Sequence, residues 1–183
     1  MDRDGTINID PGYLGDPDKV TLYSGVAGGI RRLKDDGYRI IVVSNQSGIS
    51  RGLISREQVD AVNSRINRIL SENSTGIDDF YYCPYHPDFD DPEKCTCRKP
   101  SPQMVFRAAE DHNLDLKKSF LVGDRESDIE CGINSGVKTV LIKNTLTENQ
   151  IISLQKAGKC PNFVAVDFEE VCDFILRFST GGN

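Results

Sequence analysis

Asp2 and Asp4 are separated by one residue and followed by Gly5 and Thr6, so an extended chain turns both carboxylates to one side just ahead of a turn. One acid so placed can attack while its neighbour moves a proton; the bland alternative is a loop of solvated acids. Three further segments carry compatible chemistry. Ser44-Asn45-Gln46-Ser47-Gly48 offers a hydroxyl and successive backbone N–H groups to anionic oxygens, or else is a plain polar turn. Arg98-Lys99-Pro100 offers an ammonium and a guanidinium fork for negative charge, or else an exposed, solvated pair. Gly123-Asp124, with Asp128 four residues on, offers hard oxygen ligands to a cation, unless Asp124 only caps a helix, a role open to Ser127 as well. Cys83, His86, Cys95 and Cys97 add three thiols and an imidazole, enough for a closed zinc site pinning the polar loop Asp88 to Lys94 beside Lys99. The alternative there is a reduced, metal-free cluster.

These segments need elements to hold them. Val26 to Asp36 reads as a helix stopping at Gly37, and Tyr38 to Ser44 as a buried strand that delivers Ser44. A helix over Arg56 to Glu72, a strand over Asp79 to Tyr82, a helix over Pro102 to Asn113 and a strand over Phe120 to Val122 follow. Then come a helix over Ser127 to Asn134, a strand over Lys138 to Ile142, a helix over Thr147 to Ala157, a strand over Phe163 to Val166 and a closing helix. Strands alternating with helices predict an α/β fold: three layers around a doubly wound parallel sheet, in one domain over 1–178 with a frayed tail over 179–183.

The 183 residues suffice for one sizeable core, and 38% hydrophobic content is that of a globular chain. Net charge is -6 and the Lys and Arg residues are scattered, which argues against a nucleic-acid surface. No apolar run reaches the roughly 20 residues that span a bilayer, and no signal segment stands at the N-terminus. A cytoplasmic monomer is expected, with Cys131, Cys160 and Cys172 as bystanders.

Taken together, the order and strand-end placement of the four segments resemble the haloacid dehalogenase (HAD) phosphatases, whose motifs run D-x-D-G-T, a Ser or Thr after a strand, a Lys, and G-D-x-x-x-D. The resemblance implies that Asp2 forms an aspartyl-phosphate and Asp4 serves as general acid and then base, while Ser44 and Lys99 hold the phosphoryl group. It also implies Mg2+ on Asp2, the Asp4 backbone carbonyl and Asp124, with Asp128 in support. A cation there has a physical reason, since these carboxylates and a dianionic phosphate repel one another.

Asn8, Gly12-Tyr13, the run Ser44 to Ile49 followed by Arg51-Gly52, and Tyr81-Tyr82-Cys83-Pro84 narrow the resemblance. They are similar to the histidinol-phosphatase and heptose-bisphosphate-phosphatase branch, which has no large cap domain and carries a zinc loop before C-R-K-P. That branch reads C-P-H, whereas here the position holds Tyr85 and His86 follows, so His86 is either the fourth Zn2+ ligand or its non-ligand neighbour. The loop length and the N-Q-S-G-I-x-R-G run are closer to the D-glycero-D-manno-heptose 1,7-bisphosphate phosphatases, which implies a small phosphorylated metabolite losing its 7-phosphate. Asn45, Arg51, Arg98 and Arg125 would then bind substrate, the arginines sharing a second phosphate; Arg125 stands where those enzymes usually have Lys. The competing readings are a histidinol-phosphate phosphatase, which should want an acidic pocket, and an inactive binding module with this fold. By the same resemblance a central strand should lead into Asp2, and it is missing ahead of Met1. The natural protein is therefore expected to carry several apolar residues there.

Overall fold

The computed structural model describes residues 1–144 and 148–180. Among the described residues the parallel strands are β1 (Ile41–Asn45), β2 (Asp79–Cys83), β3 (Phe120–Gly123), β4 (Lys138–Ile142) and β5 (Phe163–Ala165). Helices α1 (Val26–Asp35), α2 (Arg56–Ser71), α3 (Gln103–His112), α4 (Glu126–Ser135), α5 (Glu148–Lys156) and α6 (Phe168–Thr180) alternate with them.

Alternate strand residues point to opposite faces, so a strand buried on both sides reads as a continuous apolar run. On β1 this is literal. Val42, with Ile40 just before the strand, joins a core beneath α1, α2 and α6 that includes Ile30, Ile66 and Phe168. Ile41 and Val43 join a second core on the other face with Met104 and Ala108 of α3 and Cys131 of α4. The three-layer, doubly wound architecture therefore holds. Each fully buried Val, Leu or Ile contributes roughly 1.5–3 kcal/mol of transfer free energy.

Local signals set several boundaries. Ser55 and Gln58 form a reciprocal capping box at the start of α2, at 2.8 and 3.2 Å. Asn113 and Gly136 take left-handed conformations that end α3 and α4. α6 continues through Thr180, so the expected tail at Ser179 and Thr180 is helical; residues 181–183, and Thr147 of the expected fifth helix, lie outside the described residues.

The sheet departs from a single ladder. Strands β1 and β2 form one piece and β3, β4 and β5 another. Among the described residues Met1 and Asp2 join them: the Met1 α-amino group donates to Ile41 O at 2.7 Å, Val43 N–H to Met1 O at 2.9 Å, and Asp2 N–H to Val122 O at 2.8 Å. Two residues cannot supply a full strand's worth of pairs, so the sheet divides there. Even so, this short bridge sets Asp2 between the carboxyl ends of β1 and β3, where an open α/β sheet places its ligand site.

Candidate active site

A cavity of about 430 Å³ opens at these carboxyl ends, lined by Asp2, Asp4, Ser44, Lys99, Asp128 and the three arginines Arg51, Arg98 and Arg125, among others. At its floor Lys99 Nζ lies 2.8 Å from Asp2 Oδ1, 2.6 Å from Asp128 Oδ1 and 2.7 Å from Val43 O. Burial opposes the charge on Lys99, but Asp128 and Asp2 overcome it and hold the ammonium well above its ordinary pKa. Asp2 feels burial more strongly than the pull of Lys99. Its carboxyl is pushed up to about 7, with Asp128 adding like-charge repulsion.

Asp2, Asp124 and Asp128 are all buried and can bring one carboxylate oxygen each within 4.8 Å of the others; among the described residues they are the one such metal-capable group. Gly5 and Gly123 make this crowding possible. Gly5 has φ +82°, and a Cβ there would fall 2.3 Å from Asp124 Oδ2; a Cβ on Gly123 would fall 2.3 Å from Asp128 Cβ. Thr6 Oγ1 donates to Asp124 Oδ1 at 3.2 Å, and Arg125 Nε is 3.9 Å from Asp124 Oδ2. An anionic, all-oxygen, buried donor set of this kind fits a hard divalent ion such as Mg2+. Asp128, expected as a supporting residue, stands in the cluster itself.

Asp4 is held apart from that cluster. Its carboxylate receives Arg3 Nε and Nη2 (2.8 Å to Oδ2 from Nη2), Asn8 Nδ2 at 2.9 Å and Gln46 Nε2 at 2.7 Å. Burial works against ionisation, yet Arg3 and these amides hold its pKa below the ordinary value. Gln46 also donates to Ser44 Oγ at 2.8 Å, tying the two motif segments together. Arg3 and Gln46 were not among the residues singled out from sequence. An arginine between two acids was the available signal for Arg3, which is 1% exposed and reaches Asn63 Oδ1 at 2.9 Å.

Asn45, expected to bind substrate, lines the cavity. Its carboxamide is spent on Lys99, accepting the Lys99 N–H at 2.9 Å and donating to the Lys99 carbonyl at 3.1 Å. Arg51, Arg98 and Arg125 do converge on the cavity. Burial and the nearby Arg51 and Arg125 push the Arg98 guanidinium below its ordinary pKa, although Cys95 offsets part of this. Arg98 is anchored to Tyr85 O at 3.2 Å and Arg125 to Asp10 at 2.8 Å. Arg51 lies 4.9 Å over the Phe89 ring and 5.9 Å over Tyr13.

The zinc set is not assembled. Cys83 and Cys97 are joined in a disulfide, and a sulfur so bonded has no thiolate charge to offer a metal. Cys95 is free, and His86 presents Nε2 to Arg51 at 3.0 Å, facing the reactive cavity instead of the cysteines. This arrangement does not support the expected Zn2+ at Cys83, His86, Cys95 and Cys97.

A HAD-hydrolase-like family model matches residues 96–171, which hold Lys99, Asp124 and Asp128. A D-glycero-D-manno-heptose-1,7-bisphosphate 7-phosphatase from Chlorobaculum tepidum is 36% identical, over 96% of this chain and 92% of its own. The chain belongs to the HAD-like phosphatases. A second curated relative of this phosphatase, D-glycero-beta-D-manno-heptose-1,7-bisphosphate 7-phosphatase from Helicobacter pylori, is 33% identical over 96% of this chain and 94% of its own. Among solved structures, D,D-heptose 1,7-bisphosphate phosphatase from B. bronchiseptica, complexed with magnesium and phosphate, superposes with TM-score 0.82 at 29% identity. That match covers 97% of this HAD-like phosphatase and 96% of the other chain. No helix among the described residues is long and apolar enough to cross a membrane.

Proposed function

We propose that this chain removes the 7-phosphate of D-glycero-D-manno-heptose 1,7-bisphosphate, as a Mg2+-dependent cytoplasmic monomer acting through residues 1–178. The observation that carries the reading is one cavity with a buried Lys99–Asp2 pair at its floor and three arginines on its walls. The floor suits a transferred phosphoryl group, and the walls suit a second phosphate. A cationic substrate such as histidinol phosphate is disfavoured by the same arginines.

In this reading an Asp2 carboxylate oxygen attacks phosphorus and the bond to the sugar oxygen breaks, leaving an aspartyl-phosphate. Asp4, ionised at rest, first takes up a proton, gives it to the departing oxygen and later takes one from the hydrolytic water. Its ties to Gln46 and Asn8 aim it, while Arg3 restrains its basicity. Lys99 and Ser44 neutralise and orient the phosphoryl oxygens. Asp2, Asp124 and Asp128, with the Asp4 carbonyl, would hold Mg2+, which when bound supplies electrostatic stabilisation of the developing phosphate charge.

Phosphate release should be followed on heptose 1,7-bisphosphate, histidinol phosphate and fructose 1,6-bisphosphate, with Mg2+ and with chelator. A Mg2+-dependent preference for the heptose compound, leaving the 1-phosphate by 31P NMR, is the expected result. Preference for histidinol phosphate would overturn the substrate assignment, and no release from any would overturn the enzymatic one.

A further inference from the structure

The three arginines of the cavity are held in different ways. Arg125 pairs with the Asp10 carboxylate and Arg98 is fixed to the Tyr85 carbonyl, whereas among the described residues Arg51 meets no carboxylate. Its guanidinium is contacted by a nitrogen and two rings: His86 Nε2 lies 3.0 Å from Nη2, and Cζ is 4.9 Å from the Phe89 ring and 5.9 Å from the Tyr13 ring. A guanidinium only donates, so Nε2 accepts and the imidazole proton sits on Nδ1, with Asp88 Oδ2 3.6 Å away. The Asp88 N–H also approaches Nδ1, at 3.2 Å, but a neutral ring has one accepting nitrogen, and the shorter, charge-assisted contact takes it.

His86 and Phe89 belong to one turn. Phe89 N–H and Asp90 N–H both donate to His86 O at 2.9 Å, Asp90 Oδ2 accepts the His86 N–H at 2.8 Å, and the two rings meet edge to face at 5.7 Å. Pro84 O accepts the Ser50 N–H at 3.3 Å, which ties this turn to the backbone beside Arg51. Neutral partners orient a cation without cancelling its charge. They also oppose repulsion, because Arg98 feels the charges of Arg51 and Arg125, and a loose Arg51 would swing away from both. A side chain fixed before binding loses less freedom when an anion arrives.

We propose that His86 and Phe89 are positioning residues that hold Arg51 on the cavity wall, its charge intact, for the phosphate that is not transferred. The inference rests on the bisphosphate reading above and makes the turn after β2 a source of selectivity for bisphosphates over monophosphates.

His86→Leu and Phe89→Leu remove the acceptor and the ring while keeping side-chain bulk, and His86→Gln restores an acceptor. The first readout needs no substrate. Arg51 Nε–H is buried, so its exchange with water, followed by heteronuclear NMR of the full chain, should be slow in the wild type and in His86→Gln, and at least about tenfold faster in both leucine variants. The second is kinetic: the leucine variants should raise KM for heptose 1,7-bisphosphate about three- to tenfold with a smaller change in kcat, and raise KM for heptose 7-phosphate less. Unchanged Arg51 exchange in both leucine variants would overturn the proposal whatever the substrate. So would equal KM losses on the two compounds, or no recovery in His86→Gln. No release from either compound by the wild type would overturn the bisphosphate reading, while faster Arg51 exchange in the variants would still uphold the positioning.

Discussion

The Asn45 carboxamide grips the Lys99 backbone at both ends, at 2.9 Å to its N–H and 3.1 Å to its carbonyl. One residue at the end of β1 thereby fixes the depth at which a lysine 54 positions later enters the site, where its ammonium meets Asp2 and Asp128.

Asn45→Ala should therefore act through Lys99. Leaving the Lys99 amide without its partner costs on the order of 1–3 kcal/mol of stability. In steady-state kinetics kcat is expected to fall about tenfold or more with a smaller change in KM. Asn45→Asp, which keeps an acceptor for the Lys99 N–H, should recover part of that loss. Unchanged kcat in the alanine variant would separate the two residues functionally.

Asp2→Asn removes the proposed nucleophile, so phosphate release should fall by at least about a thousandfold while the circular dichroism spectrum is kept. Activity within tenfold of the wild type would mean that another group attacks.

Metal-free stability should respond to Asp2 with a definite sign. Its pKa is raised from 3.8 to about 7, so the folded chain keeps a proton that the unfolded chain releases across that window. Raising the pH from about 4 to 7 then costs the wild type stability relative to Asp2→Asn. Denaturant titrations of both proteins in chelator, taken at several pH values, check this; a difference that stays flat with pH would refute it. Mg2+ must displace the same proton, so its affinity should rise with pH up to about 7.

Arg98→Ala should weaken a bisphosphate more than a monophosphate. Losing one charge-assisted contact is worth roughly 1.5–3 kcal/mol, about 10- to 150-fold in kcat/KM. If both substrates lose equally, Arg98 does not serve the second phosphate.

The thiol count decides the state of the Cys83 loop. Alkylation of protein denatured without reductant should label Cys95, Cys131, Cys160 and Cys172, and all six cysteines once Cys83–Cys97 is reduced. Six labels without reductant would return Cys83 and Cys97 to thiolate chemistry.

The sequence alone determined what is local or periodic. The β-branched run over residues 38–44 read as a buried strand, which the structure shows over Ile41–Asn45, and Gly37 read as the stop of a helix, so order and fold class were legible. Asp124 was legible too, because it follows a recognisable strand end, whereas Asp2, Asp4 and Lys99 were legible through the short motifs that hold them. Tertiary structure decided what depends on contacts between distant segments. Lys99 meets Asp2 across 97 positions, and Arg3 meets Asn63 across 60, and neither spacing leaves any mark in a local pattern. The same holds for the cysteines: spacing brought four metal-capable side chains near one another in the chain, but the turn after β2 aimed His86 at Arg51 and left Cys83 facing Cys97. Side-chain direction at a loop follows from backbone packing around it, and that packing exists only once the strands and helices have met.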